Sequence, residues 1–154
     1  MGRELSYRDR QIFTARDVLL AAEEDVVGTV PVSLYFQNST GRLTKEDRVL
    51  DLYAGDTQVS ALVRALENGP EAKDLRPVLP EGFQVRSVRM DEEICYVSLT
   101  SAQVESLPPG MGDRLMILRA LRYSLLSLDS VEEVRFLVDG ERRAESDLTK
   151  LDIS

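Results

Sequence analysis

The sequence predicts an α+β fold: a two-layer sandwich in which a mixed β-sheet carries two main helices on one face, in the order β-β-α-β-β-α-β, with an additional N-terminal helix. Two observations carry this prediction. Val59, Leu62, Val63 and Leu66 fall at i, i+3, i+4 and i+7, and Ile117, Leu118, Leu121, Leu125 and Leu128 share one face of a second helical stretch. Val32, Leu34 and Phe36 alternate with Ser33, Tyr35 and Gln37, and Val134, Phe136 and Val138 alternate with Glu133, Arg135 and Leu137, the period of a strand with one buried face. Each helical stripe needs an apolar partner, and the strand faces supply it.

Taken in order, residues 14–27 (TARDVLLAAEEDVV) read as a helix with Thr14 as its cap and Val18, Leu19 and Ala22 as a thin stripe. The first strand is expected to start near Val30. Asn38 to Gly41 is turn chemistry, and Leu43 to Tyr53 carries a second strand, weaker in pattern, around Arg48 to Tyr53. Asp56 is placed to cap the first main helix. Gly69-Pro70 ends it, because Gly accepts a left-handed cap and Pro cannot continue the helix.

Pro70, Pro77 and Pro80-Glu81-Gly82 punctuate the loop that follows. It leads to QVRSVRM and ICYVSLT, two runs joined across Asp91-Glu92-Glu93 as a hairpin, with Cys95, Val97 and Leu99 toward the core. Pro108-Pro109-Gly110 separates the hairpin from the second main helix, for which Asp113 is the expected cap and Asp129-Ser130 the end. The last strand closes on an Asp139-Gly140 turn, and a polar tail carries a short terminal strand at Leu148 to Ile153. The organisation expected is an N-terminal segment at 1–29, one domain at 30–141 and a tail at 142–154.

Composition narrows the chemistry. A chain of 154 residues is long enough to bury the core of one domain without staples. With 19 Lys plus Arg against 27 Asp plus Glu, the net charge of −8 repels phosphate, so nucleic acid is not an expected partner. The sequence has no His, which excludes His-based acid–base chemistry, Ser-His-Asp triads and His-Cys zinc sites. One Cys permits no internal disulfide, and no apolar run approaches the ~18 residues of a membrane span. The first thirty residues show no secretory leader pattern, so any membrane tether is expected in a segment absent from this chain.

Individual candidates read as structure rather than chemistry. Asp91, Glu92 and Glu93 fall short of the roughly six to eight oxygen ligands a Ca²⁺ site needs. Cys95 has no His to activate it and reads as core. Arg114, Arg119 and Arg122 read as solvated helix surface. Gly110 and Gly112 lack the continuation of a phosphate loop. No catalytic residue, cofactor site or metal site is expected.

One set of segments resembles a known family. VSLYFQN at 32–38, Arg48-Val49 after an acidic pair, ALVRALENGP at 61–70, LPEG at 79–82, a hairpin ending in Val97-Ser98-Leu99, and VRFLVDG at 134–140 are together similar to the GerMN domain of sporulation and spore-germination envelope proteins. The likeness spans residues 30–141. It departs at Ser98, where the family carries an acidic residue, and at Glu92-Glu93, where it carries a Gly-containing turn. The resemblance implies a non-enzymatic module of the ring-building type, held outside the cytoplasmic membrane as a lipoprotein or by a signal anchor. Such a module assembles with copies of itself or with related envelope domains, and it offers no catalytic residues to carry over.

Two other function classes stay open. A small-ligand or glycan-binding module would use aromatic walls, for which Tyr35, Tyr53, Tyr96 and Tyr123 are available. A carboxylate-dependent hydrolase would need two acids about 5 to 10 Å apart in one cleft. The second main helix bears on the choice, because its apolar content exceeds one sheet contact: Leu115, Met116, Tyr123 and Leu126 spread over the other side beside Arg119 and Arg122. Either the N-terminal helix or the tail covers this second face, or the face is a protein–protein contact rimmed by arginine. The assembly implied by the resemblance favours the contact.

Overall fold

The computed structural model of the chain describes residues 25–144 together with Leu148. The helix expected at 14–27 and the strand expected at 148–153 therefore lie almost wholly outside the described residues. Where the two overlap, the outcome differs from expectation: Val26 and Val27 are strand, and Leu148 is helical and buried, its N–H donating to the Ala144 carbonyl at 3.2 Å.

The elements are β1 (Val26–Gln37), β2 (Leu43–Tyr53), α1 (Gln58–Asn68), β3 (Ser87–Asp91), β4 (Ile94–Leu99), α2 (Ser101–Glu105), α3 (Met111–Leu126), β5 (Glu133–Val138) and β6 (Glu141–Arg143). The strands form two sheets instead of one. β1 and β2 make an antiparallel ribbon, and the other four make a mixed sheet in the order β3-β4-β5-β6, with β4 and β5 parallel. That parallel pair requires a crossover, which α2 and α3 provide.

The sheets stay separate because the edge of β1 that a further strand would occupy is taken. Tyr35 N–H donates to Ser124 Oγ at 2.9 Å and Ser33 N–H to Ser127 Oγ at 3.0 Å, both hydroxyls coming from the C-terminal end of α3. Gln37 exchanges two main-chain bonds with Arg76. Pro31, on the same edge, has no N–H to satisfy. A helix thus closes what a strand would have paired.

Helices and strands meet over one core. Leu34 and Phe36 of β1, Leu62 and Leu66 of α1, Val97 of β4, Leu121 and Leu125 of α3 and Phe136 of β5 all lie buried in a single cluster, as the two periodicities predict. Leu75, Val78, Leu79 and Phe83 show why the Pro-punctuated loop is ordered: it contributes four apolar side chains to that cluster.

Both expected caps are displaced. Thr57, not Asp56, caps α1, in a reciprocal box where Thr57 Oγ1 accepts from Ser60 N–H and Ser60 Oγ from Thr57 N–H. Asp56 instead accepts from Tyr53 N–H at 2.9 Å and pairs with Arg64 at 3.0 Å, closing the β2–α1 turn. Gly110 begins α3 without a side-chain cap, leaving Asp113 inside the first turn, where its charge suits the helix dipole. The short helix α2 and the edge strand β6 are additional to the expected order. The pattern Thr100-x-x-Gln103, which makes a second capping box, is the local signal for α2.

Three hairpin turns use positive φ, the first being the β1–β2 turn at Gly41 (φ 80). Asp139 (φ 50) and Gly140 (φ 88) form the β5–β6 turn anticipated from Asp-Gly. Glu92 (φ 56) holds the same conformation between β3 and β4 with no glycine present.

Candidate functional site

α3 has two faces with different tasks. Ile117, Leu118, Leu121 and Leu125 are buried in the core, while Ser124 and Ser127 are committed to the β1 edge. The remaining arc presents Met111, Leu115, Arg119, Arg122 and Leu126, spaced i, i+4, i+8, i+11 and i+15 as neighbours along one side of a helix. At a rise of about 1.5 Å per residue this stripe runs roughly 22 Å. Met111 is 52% exposed, Leu126 39% and Tyr123 36%, so three of the large apolar side chains that remain in solvent sit on one helix.

The β1–β2 turn gives the stripe a wall. Asn38 Oδ1 accepts from Thr40 N–H at 2.9 Å and Arg42 N–H at 3.0 Å, and Gly41 takes φ 80. This side-chain-braced turn holds Gly41, Arg42 and Leu43 opposite Gly112, Leu115, Met116, Arg119 and Tyr123, with a groove of about 360 Å³ between them. The Tyr123 ring meets Tyr35 edge-on, with centroids 5.6 Å apart, which fixes the groove's inner end to β1.

Of the six residues expected on this face, Leu115, Met116, Arg119 and Tyr123 line the groove. Leu126 is exposed at the C-terminal end of the stripe, and Arg122 is half-buried and lines a separate cleft with Glu133, Arg135, Arg142 and Arg143. Two participants escaped sequence reasoning. Met111 stands four residues before Leu115 and a longer helical wheel would have found it. The Gly41–Leu43 wall has no local signal, since it arrives from another element.

The other candidates resolve separately. Arg114, expected as solvated surface, is buried, and its Nε donates to the Pro108 carbonyl at 2.6 Å, clamping the start of α3. Burial pushes the Cys95 thiol up to about 12, so it remains protonated at neutral pH. Asp91, Glu92 and Glu93 are exposed on the β3–β4 turn, and no metal-binding cluster occurs among the described residues. The four candidate tyrosines do not converge as walls of one cleft: Tyr35 and Tyr123 pack together, Tyr53 lines a groove beside β2, and Tyr96 lies under the Arg89 guanidinium, 4.6 Å from the ring centroid. Among the described residues no helix is long and apolar enough to cross a membrane.

A family model described as Germane, sporulation and spore germination, matches residues 33–144. Among solved structures, the first GerMN domain of the sporulation protein GerM from Bacillus subtilis is similar, with a TM-score of 0.55 at 18% identity over 74% of this chain and 86% of that one. The tandem GerMN domains of the same protein give a TM-score of 0.55 at 19% identity, over 75% of this chain and 41% of that one. At these identities the likeness is one of fold. No curated protein sequence matches the chain.

Proposed function

Because this chain belongs to the Germane family of sporulation and spore germination domains, we propose that it is a non-enzymatic envelope assembly module that docks on a second copy of itself or on a related domain through the outer face of α3. The observation that carries this reading is the stripe Met111, Leu115 and Leu126, interrupted by Arg119 and flanked by the groove under the β1–β2 turn. Apolar anchors with arginine at the rim are the composition of a protein interface. The tandem arrangement of two such domains in GerM supports pairing between related domains. An extracytoplasmic, membrane-tethered setting goes with this role.

The test is a double substitution, Leu115→Glu with Leu126→Glu. It is expected to leave the circular dichroism spectrum unchanged while abolishing self-association, or binding to a related GerMN domain, in sedimentation experiments. Loss of helix in the double variant would make this face intramolecular core and overturn the proposal. So would a wild-type chain that stays monomeric at all concentrations and binds no related domain.

A further inference from the structure

The β1–β2 ribbon has two edges, and one is closed from Pro31 to Gln37. Over that stretch the outward positions of β1 are Pro31, without an N–H, Ser33 and Tyr35, bonded to α3, and Gln37, paired with Arg76. In an antiparallel pair, residues that turn their main-chain groups away from each other stand directly opposite. The partners of Pro31, Ser33 and Tyr35 are Val49, Asp47 and Lys45, and Asp51 opposite Thr29 continues the row. These β2 residues therefore aim N–H and C=O outward, and among the described residues nothing bonds to the outward main chain of Asp47, Val49 or Asp51.

That edge is built to be paired. β2 is 11 residues long and contains no proline, and its register with β1 shifts only between Val26 and Gly28, so no bulge twists the open stretch away. Beside it runs a groove of about 530 Å³ whose far wall is α1, including Ala61, Arg64, Ala65 and Asn68. Ala61 and Ala65 lie one turn apart and are small, which leaves room for the inward side chains of an added strand. The ends are defined by Tyr53, whose N–H is taken by Asp56, and by Glu46, whose carboxylate holds the Glu71 and Ala72 N–H groups.

Charge selects the occupant. On the solvent face Asp47 and Asp51 flank Val49, which is 68% exposed. Lys45 reaches Asp47 only at 3.7 Å, and no cation pairs with Asp51 among the described residues. We propose that the outer edge of β2 is a strand-addition site for an extended segment of a partner protein, one that carries Lys or Arg opposite Asp47 and Asp51 and an apolar residue opposite Val49. A second copy of β2 related by a two-fold axis at Val49 would set Asp47 against Asp51, a like-charge pairing that disfavours a symmetric dimer here.

The experiment is an amide NMR titration of the full chain with a blocked peptide, Thr-Arg-Val-Val-Val-Arg-Thr. Saturable shifts are expected at the amides of Lys45 to Asp51 and of Ala61 to Asn68. Exchanging both peptide arginines for Glu is expected to weaken binding by at least about tenfold. N-methylation of the central peptide Val, which removes the donor to the Val49 carbonyl, is expected to abolish binding. Val49→Pro is expected to do the same while keeping the native spectrum, because the lost N–H points away from β1. Absence of saturable shifts at millimolar peptide would overturn the proposal, as would undiminished binding by Val49→Pro or by the N-methylated peptide. If Val49→Pro fails to fold, the methylated peptide on the wild-type chain decides. Concentration-dependent shifts at Asp47 to Asp51 without peptide would give the edge to a second copy and also overturn it.

Discussion

The main-chain N–H of Tyr35 donates to the hydroxyl of Ser124 at 2.9 Å, and Ser124 is completely buried. Together with the Ser33–Ser127 bond, this contact ends the ribbon's growth on that edge and ties it to the helix whose other side is exposed. Ser124→Ala would leave a buried donor without its acceptor, at an expected cost of about 1 to 3 kcal/mol. The urea midpoint should fall accordingly, whereas Ser106→Ala, at an exposed position, should leave it nearly unchanged.

Leu62 lies at the centre of the α1 stripe and is fully buried. Leu62→Ala is expected to cost about 2 to 5 kcal/mol, combining lost transfer energy with the cavity left behind. Chemical denaturation measures it, and an unchanged midpoint would contradict the packing of α1 on the core.

Glu46 governs a pH response. Burial alone would raise its carboxyl, but the Ala72 N–H, the Arg48 guanidinium at 2.6 Å and the Glu71 N–H together hold it below the usual carboxylate range. A depressed folded-state value means that the stabilisation is present above the unfolded pKa, about 4.3, and is lost as pH falls from there through the folded value. Glu46→Gln should lower stability at pH 7 and flatten the acid limb of stability below about pH 5, since the substituted side chain does not titrate. Denaturation midpoints of both chains across that range supply the comparison. Parallel acid limbs would show that the response is carried instead by Asp56, Glu133 and Asp139, whose carboxyls are also held low by hydrogen bonds.

Much of the fold was legible because it is written in local period. The stripes of α1 and α3 and the alternation in β1 and β5 each mark one buried face, and burial is what these residues do in the fold. The Asp139-Gly140 turn was legible for the same local reason. Caps were less so: Asp56 and Thr57 are adjacent and both competent, and the choice fell to Thr57 because Asp56 was drawn to Tyr53 N–H and Arg64. On α3 the wheel separated core from surface, yet it could not show that Arg114 is buried at the helix start or that Arg122 turns to a different cleft.

By itself, then, the sequence determined the class of fold, the core and the helix that carries surplus apolar surface, since all three follow from spacing within a segment. Only the tertiary structure decided that the strands divide into two sheets, that Ser124 and Ser127 close one edge of the ribbon, and that Gly41–Leu43 walls the α3 groove. Those outcomes depend on hydrogen bonds and contacts between residues roughly 70 to 95 positions apart, for which no local periodicity exists.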